Sequence, residues 1–206
     1  MPNPVLPIIE ARVSTRHYDP ARTLTDADIE ALVSQATRAP SAYNFQNWRF
    51  VAVRSPAGRQ RLKAAAHGQQ QVLDAAVTFI VCGTLRAHET LARALQPAVD
   101  AGVLPATLAA DWVVQATREH AMNPGLQRDE AVRSASLAAM TLMLAAQGAG
   151  LASGAMAGFD AEGVVQAFGL SDNEVPVMLV TVGYPLQARA ARQKPRRPVA
   201  EVIAFA

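Results

Sequence analysis

The chain has 206 residues, half of them hydrophobic, 17% charged and 5% aromatic. That balance supplies a buried core and excludes disordered, collagen-like and low-complexity classes. The net charge of +2 is unevenly placed: Arg189, Arg192, Lys194, Arg196 and Arg197 fall within nine residues, and without them 14 basic residues face 17 acidic ones.

Alanine supplies 42 residues, which favours helices packed closely together. Cys82 is the single cysteine, so an internal disulfide framework and a multi-cysteine zinc site are excluded, and a reducing cytoplasm is expected. The first residues lack a basic region followed by an apolar run, so no signal peptide is expected. The most apolar stretch, 137–146, is about half the roughly 20 residues that a membrane span needs. A single domain over 1–206 is expected, with no internal repeat and no dividing linker.

A first helix is predicted over 4–13, with Pro4 suited to a first helical position. Thr25 and Asp28 form a capping box, and Ile29, Leu32, Val33 and Ala36 then recur at helical spacing. Pro40 ends that helix, and a polar loop over 41–47 follows. A strand is predicted over 50–53, and Ser55-Pro56 reads as the start of a helix. The unbroken apolar run 77–82 predicts a strand buried on both faces, with Cys82 as inert core. Alanine-rich helices are predicted over 87–101 and 105–121, with a break at 123–125. A long helix over 127–147 is apolar nearly all round from Leu137 and is expected to be buried on all sides. Asp160 caps a further helix ending at Gly169, and 175–182 is the last strong strand. Helices flanking a few strands without regular alternation predict an α+β fold with a small mixed sheet.

Four segments carry chemistry. Arg12, Ser14 and Arg16 place two forked cations and a hydroxyl just beyond a helix, a set suited to phosphate. Lys194-Pro195-Arg196-Arg197-Pro198 holds cations on a stiffened chain. Short basic clusters at opposite ends suit one compact anion better than a long polyanion, and the second lacks the aromatics that stack bases, so no nucleic-acid partner is expected. The loop 39–48 packs Ser, Asn and Gln between a helix and a strand, where they suit the edge of a heterocycle. The small residues 154–158 run into the Asp160 cap, so backbone amides there can approach a flat ligand. Each segment alone also suits a plainer role: a solvated helix end, a loose basic tail, a loop of turn-formers and a tight turn into a helix. The four histidines show no metal-ligand spacing, and no metal is expected.

The order of these segments resembles the nitroreductase family of FMN-dependent oxidoreductases. The likeness rests on Arg-x-Ser-x-Arg at the start, Ala-Pro-Ser followed by Asn-x-Gln-x-Trp, the small-residue turn Gly-Phe-Asp and the closing Lys-x-Arg. It covers most of the chain, 8–198, and is loosest over 86–127. It implies an α+β homodimer with two FMN sites at the subunit interface. Arg12, Ser14, Arg16, Lys194 and Arg196 would then hold the phosphate and ribityl chain. Pro40, Ser41, Ala42 and Asn44 would reach the same flavin from the other subunit. Gln71 would face the ring, Ala157 and Gly158 would offer backbone amides to N5, and Ser134 matches a polar interface position. Tyr43, Phe45, Trp112 and His120 would wall the substrate pocket.

The implied activity takes hydride from NAD(P)H onto FMN and reduces nitroaromatic, quinone or similar small acceptors by a ping-pong mechanism, with no catalytic side chain. The sequence departs from common family patterns at Asn47, where proline is frequent, at Ala157, where some members carry Glu, and at Gln71, where some carry Lys. Two other readings stay open. One is a flavoenzyme of the same fold with a non-nitro substrate, and the other is a non-enzymatic protein that binds through its basic tail.

Overall fold

The computed structural model describes residues 5–186 and 192–206. Pro4 and Arg189 lie outside them. Four strands form one sheet in the order β1-β2-β4-β3: β1 is Trp48–Val53, β2 Val77–Thr84, β3 Ala152–Met156 and β4 Glu174–Gly183. All three strand pairs are antiparallel, and the parallel element of the sheet is an isolated bridge between Ser14 and Ser153.

The run 77–82 of β2 is apolar but for the buried Thr78 because helices cover both of its faces. Val77, Phe79 and Val81 turn toward α2 (Asp26–Ala36) and α7 (Pro124–Gly148). Ile80 and Cys82 turn the other way, into a cluster with α3 (Pro56–Ala65) and α8 (Ala161–Phe168). Cys82 is fully buried, and that burial pushes its thiol up to about 12, so it belongs to the core. The helix α7 crosses the sheet closely: a Cβ on Gly83 would sit 2.4 Å from the carbonyl oxygen of Ala131.

The capping box at Thr25 and Asp28 forms, and Asp160 caps α8, which ends on left-handed Gly169. A short α1 spans Val5–Ala11, and α4 spans Gln71–Asp74. Arg59 closes α4 by donating to the carbonyls of Leu73 and Ala76 at 2.8 and 2.7 Å. The segment predicted as one helix over 87–101 divides into a 3₁₀ turn, Ala87–Thr90, and α5, Leu91–Asp100. Next comes α6, Ala106–His120. The predicted break at 123–125 is the beginning of α7: Asn123 caps it by accepting from the Leu126 amide, and Pro124 opens it.

Two expectations need correction. The small residues 152–156 form a strand, with the turn confined to the residues after Met156. The far half of α7 is not buried on all sides within one chain: Leu137 and Met140 are 42% and 37% exposed. The sheet and α2 cover only one side of this helix, and α1 covers only part of the other.

Candidate functional site

The segment following α1 is extended because it is pinned at both ends. Thr15 donates its amide to Ser153 of β3 at 2.9 Å, and Leu186 donates to the carbonyl of His17 at 3.0 Å. Between them the buried Tyr18 hydroxyl lies 2.8 Å from Thr181 Oγ1 and 3.1 Å from the Thr15 carbonyl. These anchors decide the rest: Thr15 and Tyr18 face inward, and Ser14, Arg16 and His17 face solvent. The C-terminal basic segment is tied alongside. Gln193 donates its amide to the Arg12 carbonyl at 3.1 Å, and Arg196 donates to Gln193 Oε1 at 3.3 Å.

The small residues of β3 permit this approach. A Cβ on Gly154 would lie 2.4 Å from the Thr15 carbonyl oxygen. Gly154→Ala is therefore expected to push the 14–18 segment off the sheet, at a cost of roughly 1–3 kcal/mol for an overpacked position. Thermal melting should fall by several degrees, and an unchanged midpoint would show that the segment yields freely. Beyond β3, Gln69 donates to the Gly158 carbonyl at 3.0 Å, and Asp160 donates its amide to Ala65 at 2.8 Å. Gln71 is buried, and its side-chain amide donates to Gln69 Oε1 at 2.9 Å and to Met156 Sδ at 2.6 Å.

These pieces enclose a cavity of about 670 Å³ lined by Ser14, Thr15, Arg16, His17, Gln69, Gln71, Gly154, Ala155, Met156, Gly158, Arg192 and Lys194. Three cations from both ends of the chain share it with a hydroxyl and two glutamines. None of the lining residues is a carboxylate. Of the residues singled out in the sequence, Ser14, Arg16, Gln71, Gly158 and Lys194 line this cavity. Arg12 and Arg196 do not line it: Arg12 meets Gln193 through its carbonyl and Arg196 through its side chain, and Ala157 stands exposed in the turn between Met156 and Gly158. His17, Gln69, Met156 and Arg192 line the cavity without having been singled out. Ser134 lies on α7, 1% exposed, with its hydroxyl unpartnered among the described residues.

Pro40, Ser41, Ala42 and Asn44 do not line the cavity. Their loop packs instead against α5 and α6. Phe45 is buried with Leu91 and Leu95. Tyr43, Phe45, Trp112 and His120 meet in one aromatic cluster. The Tyr43 ring lies 5.4 Å from Phe45, 6.2 Å from Trp112 and 6.4 Å from His120, centroid to centroid. His120 donates from Nδ1 to the Ala116 carbonyl at 2.9 Å, which fixes its ring.

The profile of the Nitroreductase family matches residues 9–184. The chain belongs to the nitroreductase family. It is 30% identical over 197 residues to YodC of Bacillus subtilis, provisionally named an NAD(P)H nitroreductase, with 96% of each chain covered. It is 31% identical to a Thermus thermophilus protein named NADH dehydrogenase, covering 88% of this chain and 90% of that one. Among solved structures, a protein of Exiguobacterium sibiricum in complex with FMN superposes with a TM-score of 0.91 at 26% identity, over 99% of this chain and 98% of that one. A nitroreductase-like protein of Streptococcus mutans gives 0.88 at 29% identity over the full length of both chains. Family membership places the chain among oxidoreductases of this α+β fold. No helix among the described residues is long and apolar enough to cross a membrane.

Proposed function

We propose that this nitroreductase-family chain is an FMN-dependent NAD(P)H oxidoreductase that reduces nitroaromatic, quinone or similar small acceptors. In this reading the chain is one domain, works as a cytoplasmic homodimer and needs no metal. One observation carries the proposal: Arg16, Arg192 and Lys194 converge on a single cavity that also holds Ser14, two glutamines and the backbone of a small-residue turn. That donor set fits FMN. A phosphate of charge near −2 requires several cations and short donors. A flat ring requires a wall without side chains, and Gly158 has open space where its Cβ would stand. The relatives named for NAD(P)H or NADH chemistry and the FMN complex of the Exiguobacterium protein support the same choice.

Bound FMN would supply hydride acceptance and donation at its N5. The chain's part is to bind and orient. Arg16, Arg192 and Lys194 would neutralise the phosphate with Ser14 donating beside them, and Gln193 would steady their segments through the Arg12 carbonyl and the Arg196 side chain. Gln71, held by Gln69 and Met156, would present a neutral side chain to the ring where a lysine would add charge. Heat-released cofactor should run as FMN on chromatography. FAD, or no flavin after reconstitution, would overturn the proposal.

With one cavity for donor and acceptor, initial-rate plots should give the parallel lines of ping-pong kinetics. Alanine at Tyr43, Trp112 or His120 should shift KM and acceptor choice. A general acid or base contributes roughly 10²–10⁴-fold, and none of these three is expected to slow flavin reduction by such a factor. Stopped-flow measurement of the reductive half-reaction decides the point. His17→Ala belongs in the same series, because His17 lines the cavity and is able to carry a proton.

A further inference from the structure

The loop after α2 holds an unusual backbone. Tyr43, Asn44 and Gln46 all have left-handed φ, at 51°, 56° and 51°. Residues other than glycine adopt that region at a cost in free energy, and they remain there only where their surroundings fix them. Within the loop, Gln46 donates its amide to Ser41 Oγ at 2.9 Å, and Phe45 donates to Ala42 at 2.8 Å. From outside, the directional contact is to α6: the Tyr43 hydroxyl donates to Glu119 Oε2 at 2.8 Å.

Glu119 is prepared for that contact. Gln115, one turn earlier on the same face, donates to Glu119 Oε1 at 3.0 Å and leaves Oε2 for the phenol. The end of α6 is itself anchored, since Gln127 of α7 donates to the His120 carbonyl at 2.8 Å. The carboxylate thus stands on a fixed platform, while the residue it grips carries strained backbone.

We infer that Glu119 is a positioning residue: by accepting the Tyr43 hydroxyl it holds the left-handed 43–46 turn in the form that presents Ser41 to Asn44 to a flavin. The inference rests on the flavin reading proposed above and adds to it a residue outside the cavity. Glu119 does not line the cavity, so its effect passes through Tyr43.

The test is a double-mutant cycle on purified protein. Glu119→Ala and Tyr43→Phe should each raise the FMN dissociation constant by about three- to tenfold, the range of one hydrogen bond. The double variant should be no worse than either single one, because both remove the same contact. Glu119→Gln should restore most of the affinity, since its amide oxygen still accepts. Asp111→Ala, elsewhere on α6, should change nothing. A second readout needs no flavin. Burial, reinforced by the Glu119 carboxylate and more weakly by the charge of Glu130 on α7, holds the Tyr43 phenol above its ordinary value against an opposing hydrogen bond from Gln115. Phenolate absorbance, taken against Tyr43→Phe, should therefore show Tyr43 ionising at lower pH in Glu119→Ala. Additive losses, a Glu119→Gln as weak as Glu119→Ala, or a phenol unmoved by Glu119→Ala would each overturn the inference. If the unaltered protein binds no FMN, the flavin reading falls and takes the cofactor half of this inference with it. The titration then still decides whether Glu119 holds Tyr43.

Discussion

Arg16→Glu is expected to strip the protein of flavin, raising the FMN dissociation constant by about a hundredfold or more. Truncating one partner of a hydrogen-bonded charge pair costs roughly 2–5 kcal/mol, and reversing the sign adds repulsion to that loss. Arg16 is suited to this test because it lines the cavity on a segment whose backbone is pinned to β3. Lys194→Glu should follow closely, as Lys194 also lines the cavity. Arg196→Glu should lose less, because its recorded contact is to Gln193 and its effect on the phosphate passes through that link. Arg38→Glu reverses the same charge on an exposed residue outside the cavity and should leave flavin content unchanged. Circular dichroism separates lost binding from lost fold. Flavin retained by Arg16→Glu to the level of Arg38→Glu would remove the phosphate assignment.

The features that the sequence disclosed are local ones. Thr25 and Asp28 cap a helix because the box closes over three residues, and the β2 run reads as buried because it is apolar but for Thr78. Ala152–Met156 was not legible as a strand: Ala-Ser-Gly-Ala-Met has no β-branched residue, and its conformation comes from pairing with β4 and with Ser14. Its small residues are there because the 14–15 backbone lies against them, a long-range requirement that looks like a turn when read locally. The two basic clusters could be seen, but not that Gln193 ties them together. Strict alternation along 14–18 would have misplaced a residue, since Thr15 and Tyr18 turn inward while both Arg16 and His17 stay outward. Nothing in the spacing pairs Tyr43 with Glu119, 76 residues away. Leu137 and Met140 were expected to be buried because they are apolar, and the single chain has nothing to cover them with.

That uncovered face leads to the second large effect. Leu137→Glu with Met140→Glu is expected to convert a homodimer into monomers that have lost FMN. Both residues are more than a third exposed in the single chain, so the carboxylates should leave its own core intact. Val5, Leu6 and Ile9 of α1, which packs on α7, are each about half exposed and extend the same apolar surface. Val202, Ile203 and Phe205 of the C-terminal arm are exposed as well, the last at 92%. A surface of this kind in water is a partner site, and a two-fold axis lets one patch cover its own copy. Two carboxylates per chain would place four charges in such an interface, each costing several kcal/mol unless paired. Flavin should be lost with the dimer because Ser41 to Asn44 do not line the cavity of their own chain and, in the reading proposed above, serve a partner's. Sedimentation should show a dimer for the unaltered protein at micromolar concentration and a folded, colourless monomer for the variant. A stable monomer that carries FMN would break the link between assembly and cofactor, and would leave the loop without the role proposed for it.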